Sequence, residues 1–228
     1  MNWLLNALTS GLGRKVIMSL TGIFLILFLL VHLVGNLQLL KSDGGDAFNV
    51  YSQFMAHNPL IQLVSKGNFF FILLHITVAI SLYVKNRMAR PIGYKVSAGS
   101  ANSSWASRSM SLLGILIFIF ILIHLKGFWY NFKFGVVPTT MVDGLEMHDA
   151  YTWVLDAYTN PLISTFYVIS MIVLGFHLWH GFSSAFQSLG LNHVKYTGFI
   201  KVLGKLYAII IPALFAIIPI YLYLKSLS

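Results

Sequence analysis

The sequence contains no cysteine. This excludes from the chain a cysteine-ligated iron–sulfur cluster, a covalently attached c-type haem and any structural disulfide. A redox cofactor bound by this chain must therefore be held by other ligands. The eight histidines are the first candidates.

Charged residues are also scarce, at 9% of the chain against roughly 25% in soluble domains. Hydrophobic residues make up 57%, and the mean hydropathy is +0.79. A water-exposed surface cannot be built from this composition, so we expect a single all-α, multi-pass membrane domain covering residues 1–228. Five segments are long enough to cross a ~30 Å hydrocarbon core. They lie near 15–40, 60–86, 108–131, 161–186 and 204–224.

The segment 1–14 precedes the first span. It lacks the basic start and the small-residue cleavage site of a secretory signal. Apolar side chains recur in it at helical spacing behind Trp3, namely Leu4, Leu5, Leu8 and Leu12. This pattern predicts a short helix lying in the membrane interface, and a frayed terminus is the alternative.

The formal net charge is +9, but the basic residues flank the apolar runs and form no basic face of the kind that binds nucleic acid. All six acids fall in two loops: Asp43, Asp46, Asp143, Glu146, Asp149 and Asp156. Ten of the fifteen basic residues lie at the opposite ends of the spans: Arg14, Lys15, Lys85, Arg87, Arg90, Lys95, Arg108, Lys195, Lys201 and Lys205. The positive-inside rule makes that side cytoplasmic, with the N-terminus inside and the C-terminus outside.

One histidine lies in each of the first four spans: His32, His75, His124 and His177. Ionisable residues are rare in a bilayer core and are functional by default. A hydrogen bond to a neighbouring helix explains any one of them equally well, but four on successive helices favour axial ligation of haem iron. Zinc fits less well, because its tetrahedral sites commonly use cysteine or carboxylate ligands, which the spans lack.

Depth sorts these histidines into two pairs. His32 and His124 lie sixteen or seventeen residues beyond the basic residues that open their spans, roughly 25 Å from the inner face. Spans 2 and 4 run in the opposite direction, from the outer face to the inner one. His75 in span 2 lies roughly 15 Å from the inner face, and His177 lies on the inner half of span 4. The sequence therefore predicts an outer pair, His32 and His124, and an inner pair, His75 and His177. His180, one turn beyond His177, is the alternative inner ligand.

Two further groups of candidates are less specific. Residues near the inner face could bind haem propionates, and their basic members serve equally well as membrane anchors: Arg14, Lys15, Ser19, Arg108 and His180. Residues near the outer surface could bind a quinone, or be solvated loop residues: Asn36, Gln38, Glu146 and His148.

Four runs around these histidines carry a family resemblance: RKVIMSLTGIFLILFLLVHLVGNLQLL (14–40), FFILLHITVAISLYVKNR (70–87), SRSMSLLGILIFIFILIHL (107–125) and FHLWHGFSSAFQSLG (176–190). The chain resembles, over nearly its whole length, the di-haem cytochrome b subunit of bacterial succinate dehydrogenases and fumarate reductases with a single five-helix anchor. The resemblance implies that His32 and His124 ligate the distal haem and that His75 and His177 ligate the proximal one. In that family the fourth ligand precedes a glycine by four residues, which favours His177, four residues before Gly181.

The resemblance also implies partners. A flavoprotein with covalent FAD oxidises succinate, and an iron–sulfur protein passes the electrons through two b haems to a quinone, commonly menaquinone. Both partners would dock on the cytoplasmic face of a bacterial cytoplasmic membrane, so this chain would hold no dehydrogenase catalytic residue. Some members carry an acidic residue in the fourth helix that assists proton movement, and span 4 has none.

Two alternatives stay open. One is the haem b subunit of another quinone-linked dehydrogenase, of the hydrogenase or formate dehydrogenase type. The other is a non-redox transporter, which would predict helices broken in mid-span by Gly or Pro. Only span 5 carries such residues, Pro212 and Pro219, and it has no histidine.

Overall fold

The computed structural model describes residues 2–89 and 104–227. These residues are mostly helical, at 84%, and among them five helices are long and apolar enough to cross a membrane. They span Gly11–Leu40, Pro59–Met88, Met110–Phe134, Pro161–Ser188 and Val194–Lys225. The expectation of a mostly helical chain with five helices long and apolar enough to span a membrane is thereby confirmed, and a short β-hairpin is added to it. The side of the membrane on which each terminus lies stays a prediction.

The first half of the chain comprises α1 (Asn2–Thr9), α2 (Gly11–Asn36) with a 3-10 turn (Leu37–Leu40), α3 (Asp46–His57) and α4 (Pro59–Met88). Next come α5 (Trp105–Arg108), α6 (Met110–His124), a π-helical turn (Leu125–Tyr130) and α7 (Asn131–Phe134). A hairpin of β1 (Thr139–Val142) and β2 (Leu145–His148) leads into α8 (Ala150–Thr159), α9 (Pro161–Ser188) and α10 (Val194–Lys225).

Two of the long helices, α4 and α9, begin with the same capping motif. Asn58 and Asn160 each precede a proline at the first helical position. The Asn58 side chain accepts from the backbone N–H of Leu60 at 3.0 Å, and that of Asn160 from Leu162 at 2.9 Å. Such caps satisfy N–H groups that have no partner within the helix, while proline has no N–H to satisfy.

The helices extend beyond the apolar segments that predicted them. Span 5 was expected to begin near 204, but α10 begins at Val194, so Lys195, Lys201 and Lys205 lie on a helix instead of in a loop. Its start is capped by His193, whose Nδ1 accepts from the N–H of Lys195 at 3.2 Å. The expectation was wrong because hydropathy reports where a helix is apolar and not where it ends. Arg90 and Lys95 lie outside the described residues.

The N-terminal segment is a separate helix, but a shorter one than predicted. After α1 ends at Thr9, the Ser10 hydroxyl accepts from the N–H of Gly13 at 2.9 Å and caps α2. Leu12 therefore belongs to α2. Trp3 is exposed on α1, and its location in a membrane interface stays a prediction.

The connections at one end of the bundle form a small folded cap, made of α3, the β1–β2 hairpin and α8. The hairpin turns at Asp143 and Gly144, both with positive φ of 52° and 78°, as a two-residue turn matching the strand twist requires. Buried Asn49 joins α3 to α8, donating to Asp149 at 3.1 Å and accepting from the N–H of Tyr151 at 2.8 Å. The sequence was expected to have only loops here.

The main hydrophobic cluster lies between this cap and the adjoining ends of the long helices. Its buried members are Leu39, Phe48, Ala150, Tyr151, Tyr158, Tyr167, Ile218 and Leu222. Because α9 and α10 contribute to it together with the cap, it fixes the ends of the helices at this level.

The long helices α2, α4, α6 and α9 form a four-helix arrangement. In it α2 packs against α4 and α9, α9 packs against α6, and α4 touches α6 only lightly. The pairs α2/α6 and α4/α9 lie on the diagonals and are not among the extensively packed helix pairs. Helix α10 packs mainly on α9, where Gly175 and Gly204 allow close approach. It runs unbroken through Pro212 and Pro219.

Candidate cofactor site

His32 and His124 face each other across one diagonal of the bundle. His32 lies near the cap end of α2, and His124 is the last residue of α6. Their ring centroids are 5.9 Å apart and the ring planes are nearly perpendicular, at 87°. Two nitrogen–metal bonds of about 2 Å on opposite sides of one ion would place two imidazole centroids roughly 6 Å apart. The observed spacing fits a shared metal, and the structure brings the predicted outer pair together.

Aromatic rings surround this pair. Phe28 and Phe215 lie 5.3 and 5.7 Å from His32, and Phe120 and Phe128 lie 5.5 and 5.6 Å from His124. These distances join ring centroids and are typical of aromatic packing. The cage keeps the two imidazoles in an apolar environment.

The polar partners of the outer pair are weak ones. The Nδ1 atom of His124 lies 3.4 Å from the hydroxyl of buried Tyr167, and Nδ1 of His32 lies 3.4 Å from the side-chain amide of Asn36. Both distances exceed the usual range of strong hydrogen bonds. The Asn36 amide makes its shorter bond, at 2.8 Å, to the carbonyl of His32.

A change of helix type follows His124. Residues Leu125–Tyr130 form a π-helical turn, and such turns are frequent at functional sites. The carbonyl of Gly127 in this turn accepts from the indole N–H of Trp153 at 3.3 Å. The turn therefore ties the end of α6, and with it His124, to α8 of the cap.

His75 on α4 has the shortest side-chain hydrogen bond of the four histidines. Its Nδ1 lies 2.9 Å from the hydroxyl of Thr21 on α2, a residue that is 1% exposed. The next residue, Gly22, faces the same ring, since a Cβ there would lie 3.6 Å from His75 Cε1. Sequence reasoning singled out Ser19 and missed Thr21. Thr21 could be identified only if α2 were known to pack against α4 at the height of His75.

His177 on α9 completes the inner group. Gly175 faces α10, and His177 is two residues on, about 200° around the helix, so it points away from α10. It lies three residues, less than one turn, before His180 on the same helix. Its Nδ1 is buried and has no hydrogen-bond partner among the described residues. An unpaired buried nitrogen is expected where a cofactor or an ordered water binds.

The predicted propionate residues lie near the opposite end of the bundle from the cap. Arg14 donates to the Ser81 hydroxyl at 2.6 Å and so reaches from α2 to α4. Ser19 is buried and donates to the carbonyl of Lys15 at 2.9 Å. Lys15 and Arg108 are exposed, and His180 is half-buried.

The predicted quinone residues are not gathered at one site. Asn36 contacts His32, whereas Gln38 lines a groove of about 600 Å³ in which Tyr51 and Lys41 also take part. Glu146 is exposed and accepts from Thr139 at 2.9 Å. His148 is exposed, with its ring centroid 5.6 Å from that of Phe132. Their grouping near the outer surface therefore does not amount to a common pocket.

The histidines occur as pairs and not as larger clusters. Over residues 2–89 and 104–227, no group of three or more His, Asp or Glu side chains has the arrangement of a metal site. A protein can supply haem iron with two axial histidine nitrogens, so a paired arrangement fits haem better than it fits a metal that needs three or four protein ligands.

Comparisons of the chain with protein-family models, with curated proteins and with solved structures found no match. The similarity noted in the sequence runs therefore stays a resemblance. The functional interpretation rests on the positions of the histidines and their partners.

Proposed function

We propose that this chain is the cytochrome b membrane subunit of a succinate:quinone oxidoreductase, holding one b haem between His32 and His124 and a second between His75 and His177. The observation that carries this proposal is the approach of the His32 and His124 rings across one diagonal of the bundle. It is supported by the positions of His75 and His177 on the two helices of the other diagonal. The helices on each diagonal are not packed extensively against each other, so a flat macrocycle bound between them would not have to separate a packed helix pair.

The two pairs lie at different levels along the bundle. The hydrogen bond between Thr21 and His75 places these two residues at the same height. His32 is eleven residues further along α2, a rise of about 16 Å. Two sites stacked in this way along the bundle axis make a route for electrons between its ends.

The side chains of this protein would bind and orient the two b haems. The four histidines would supply nitrogen ligands to the two haems, and the rings around His32 and His124 would exclude water. Thr21 and Tyr167 contact the imidazole rings at Nδ1. A bound b haem supplies one-electron transfer, because its iron changes between the ferric and ferrous states. Arg14 and Ser19 lie at the end where propionates of the inner haem would need charge and hydrogen bonds, and Lys15, Arg108 and His180 are further candidates.

The two ends of the bundle would have different partners. The end rich in Lys and Arg would face the cytoplasm and dock the FAD-containing and iron–sulfur subunits, because a basic rim suits acidic partners. The cap end would lie near the outer surface, where menaquinone would receive electrons. Asn36 and Gln38 are the better quinone candidates, since Asn36 contacts His32 and Gln38 lines the groove at the cap.

Purification of the tagged chain from its native membrane in a mild detergent tests this proposal. The expected result is a complex that contains a flavoprotein with covalent FAD and an iron–sulfur protein, and that reduces a quinone analogue with succinate. Recovery of a hydrogenase or formate dehydrogenase subunit instead would be consistent with haem binding but would refute the assignment to a succinate-oxidising complex. Recovery of a haem-free chain without redox partners would refute both.

A further inference from the structure

Thr21 stands out among the polar residues of the bundle because it is almost completely buried and contacts a candidate ligand. Its hydroxyl oxygen lies 2.9 Å from the carbonyl of Ile17, 3.0 Å from that of Met18 and 2.9 Å from His75 Nδ1. All three are good hydrogen-bond distances. The hydroxyl is therefore fully engaged.

The direction of these bonds follows from counting protons. A threonine hydroxyl carries one proton and can accept at its lone pairs. The carbonyls of Ile17 and Met18 can only accept, so the proton of Thr21 is shared with them. The contact with His75 is then satisfied when His75 Nδ1–H donates to the Thr21 oxygen. That leaves Nε2 of His75 without a proton.

We propose that Thr21 is a positioning residue that holds His75 in the Nδ1–H tautomer and directs its Nε2 lone pair toward the inner metal site. The effect on a haem rests on the proposed function, whereas the tautomer is a property of this chain. Neutral imidazole binds a metal through an unprotonated nitrogen, and a partner on the other nitrogen fixes both tautomer and ring orientation.

The other three histidines lack an equivalent contact among the described residues. The contacts of His32 and His124 are both 3.4 Å long, and His177 Nδ1 has no partner. His75 is thus the best-fixed ligand of the four. An acceptor on Nδ1–H makes the imidazole a stronger donor to the metal, which favours the ferric state and lowers the midpoint potential of the inner haem.

The experiment compares three variants of the full chain in its complex. Thr21→Val keeps the shape and removes the hydroxyl, and Thr21→Ser keeps the hydroxyl. Thr77→Val is the matched control, because Thr77 also donates to a carbonyl four residues back, that of Leu73 at 2.7 Å, but is exposed on α4. The readouts are the midpoint potentials of both haems and the low-field EPR signals, which report the relative orientation of the axial imidazoles.

Thr21→Val is expected to raise the potential of one haem and shift its EPR signal, or to weaken haem binding there roughly 10- to 100-fold, with the other haem unchanged. Thr21→Ser and Thr77→Val should behave like the parent. Unchanged potentials and EPR signals in Thr21→Val, or an equal effect of Thr21→Ser, would overturn the proposal.

A nitrogen-15 spectrum of histidine-labelled chain separates this inference from the proposed function. His75, assigned by its loss in a His75→Gln variant, should show a protonated Nδ1 in the parent and a changed tautomer ratio in Thr21→Val. A protonated Nε2 in the parent would overturn the role of Thr21 even if two haems are bound. A haem-free parent with protonated Nδ1 would refute the proposed function and leave the tautomer assignment standing.

Discussion

His32 and His124 lie among four phenylalanine rings near the cap, whereas His75 lies against Thr21 and Gly22 and is held by one hydrogen bond. The outer pair is therefore positioned by many packing contacts and the inner pair by few polar ones. Several rings position the outer pair, so removing one ring leaves the other contacts in place. One hydrogen bond positions His75, so its removal should affect this ligand and one haem.

The largest effect in this comparison is expected from the ligands themselves. His177→Ala should remove one of two haems, because His177 carries a buried Nδ1 without a hydrogen-bond partner among the described residues, whereas His180 is only half-buried. His180→Ala is the matched control, one turn along the same helix, and should retain both. The measurement is haem per chain in the purified protein. Retention of both haems in His177→Ala together with loss in His180→Ala would reverse the ligand assignment.

Among substitutions in the cap, we expect one at Asn49 to lower the free energy of unfolding most. Asn49→Ala leaves the buried Tyr151 N–H without its partner and removes one of the hydrogen bonds to the partly buried Asp149 carboxylate, which should cost about 2–3 kcal/mol of unfolding free energy. Thermal denaturation in detergent measures it. Asn192→Ala, at an exposed position with one hydrogen bond to Thr197, should change stability by less than about 0.5 kcal/mol. Equal stability of the two variants would show that the cap does not depend on this link.

Gly35, three residues beyond His32, is expected to show a smaller effect. A Cβ at this position would overlap the ring and hydroxyl of Tyr51. Gly35→Ala should therefore destabilise the protein by about 1–2 kcal/mol through overpacking and disturb the outer haem before the inner one. Gly67→Ala on α4, where a Cβ meets nothing within 4 Å, is the control and should be neutral or stabilising. A disturbed inner haem with an intact outer haem would contradict the account.

The smallest effect is expected from Tyr167. Its contact with His124 Nδ1 is 3.4 Å, against 2.9 Å for Thr21 and His75. Tyr167→Phe should raise the potential of the outer haem by less than Thr21→Val raises that of the inner one. Tyr158→Phe is the control, because Tyr158 packs on Tyr167, at 5.2 Å between ring centroids, and makes no hydrogen bond to His124 in the described part of the chain. A redox titration that finds the larger shift for Tyr167→Phe would invert the comparison.

Composition was sufficient to predict the helices, because about 20 consecutive apolar residues have few folded alternatives in a membrane. The proximity of His32 and His124 was also predictable, since charge asymmetry gave each span a direction and helical rise gave each histidine a depth. Both predictions use only the positions of residues along the sequence. They required no knowledge of which helices are neighbours.

The features that were not predicted depend on that missing information. The contact of Thr21 with His75 exists because α2 packs against α4 with a particular rotation, which helical spacing alone does not fix. The cap was missed because its helices and strands are short and mixed in polarity. The start of α10 at Val194 was missed because its first turns carry lysines, which lowers hydropathy without interrupting a helix.

The decisive measurement is the haem content of the purified chain, produced in a host that makes haem. Two b haems per chain are expected in a reduced-minus-oxidised spectrum, and one after His32→Ala or His124→Ala. A folded chain that contains no haem, or that keeps both haems after either substitution, would contradict the proposal of two haems.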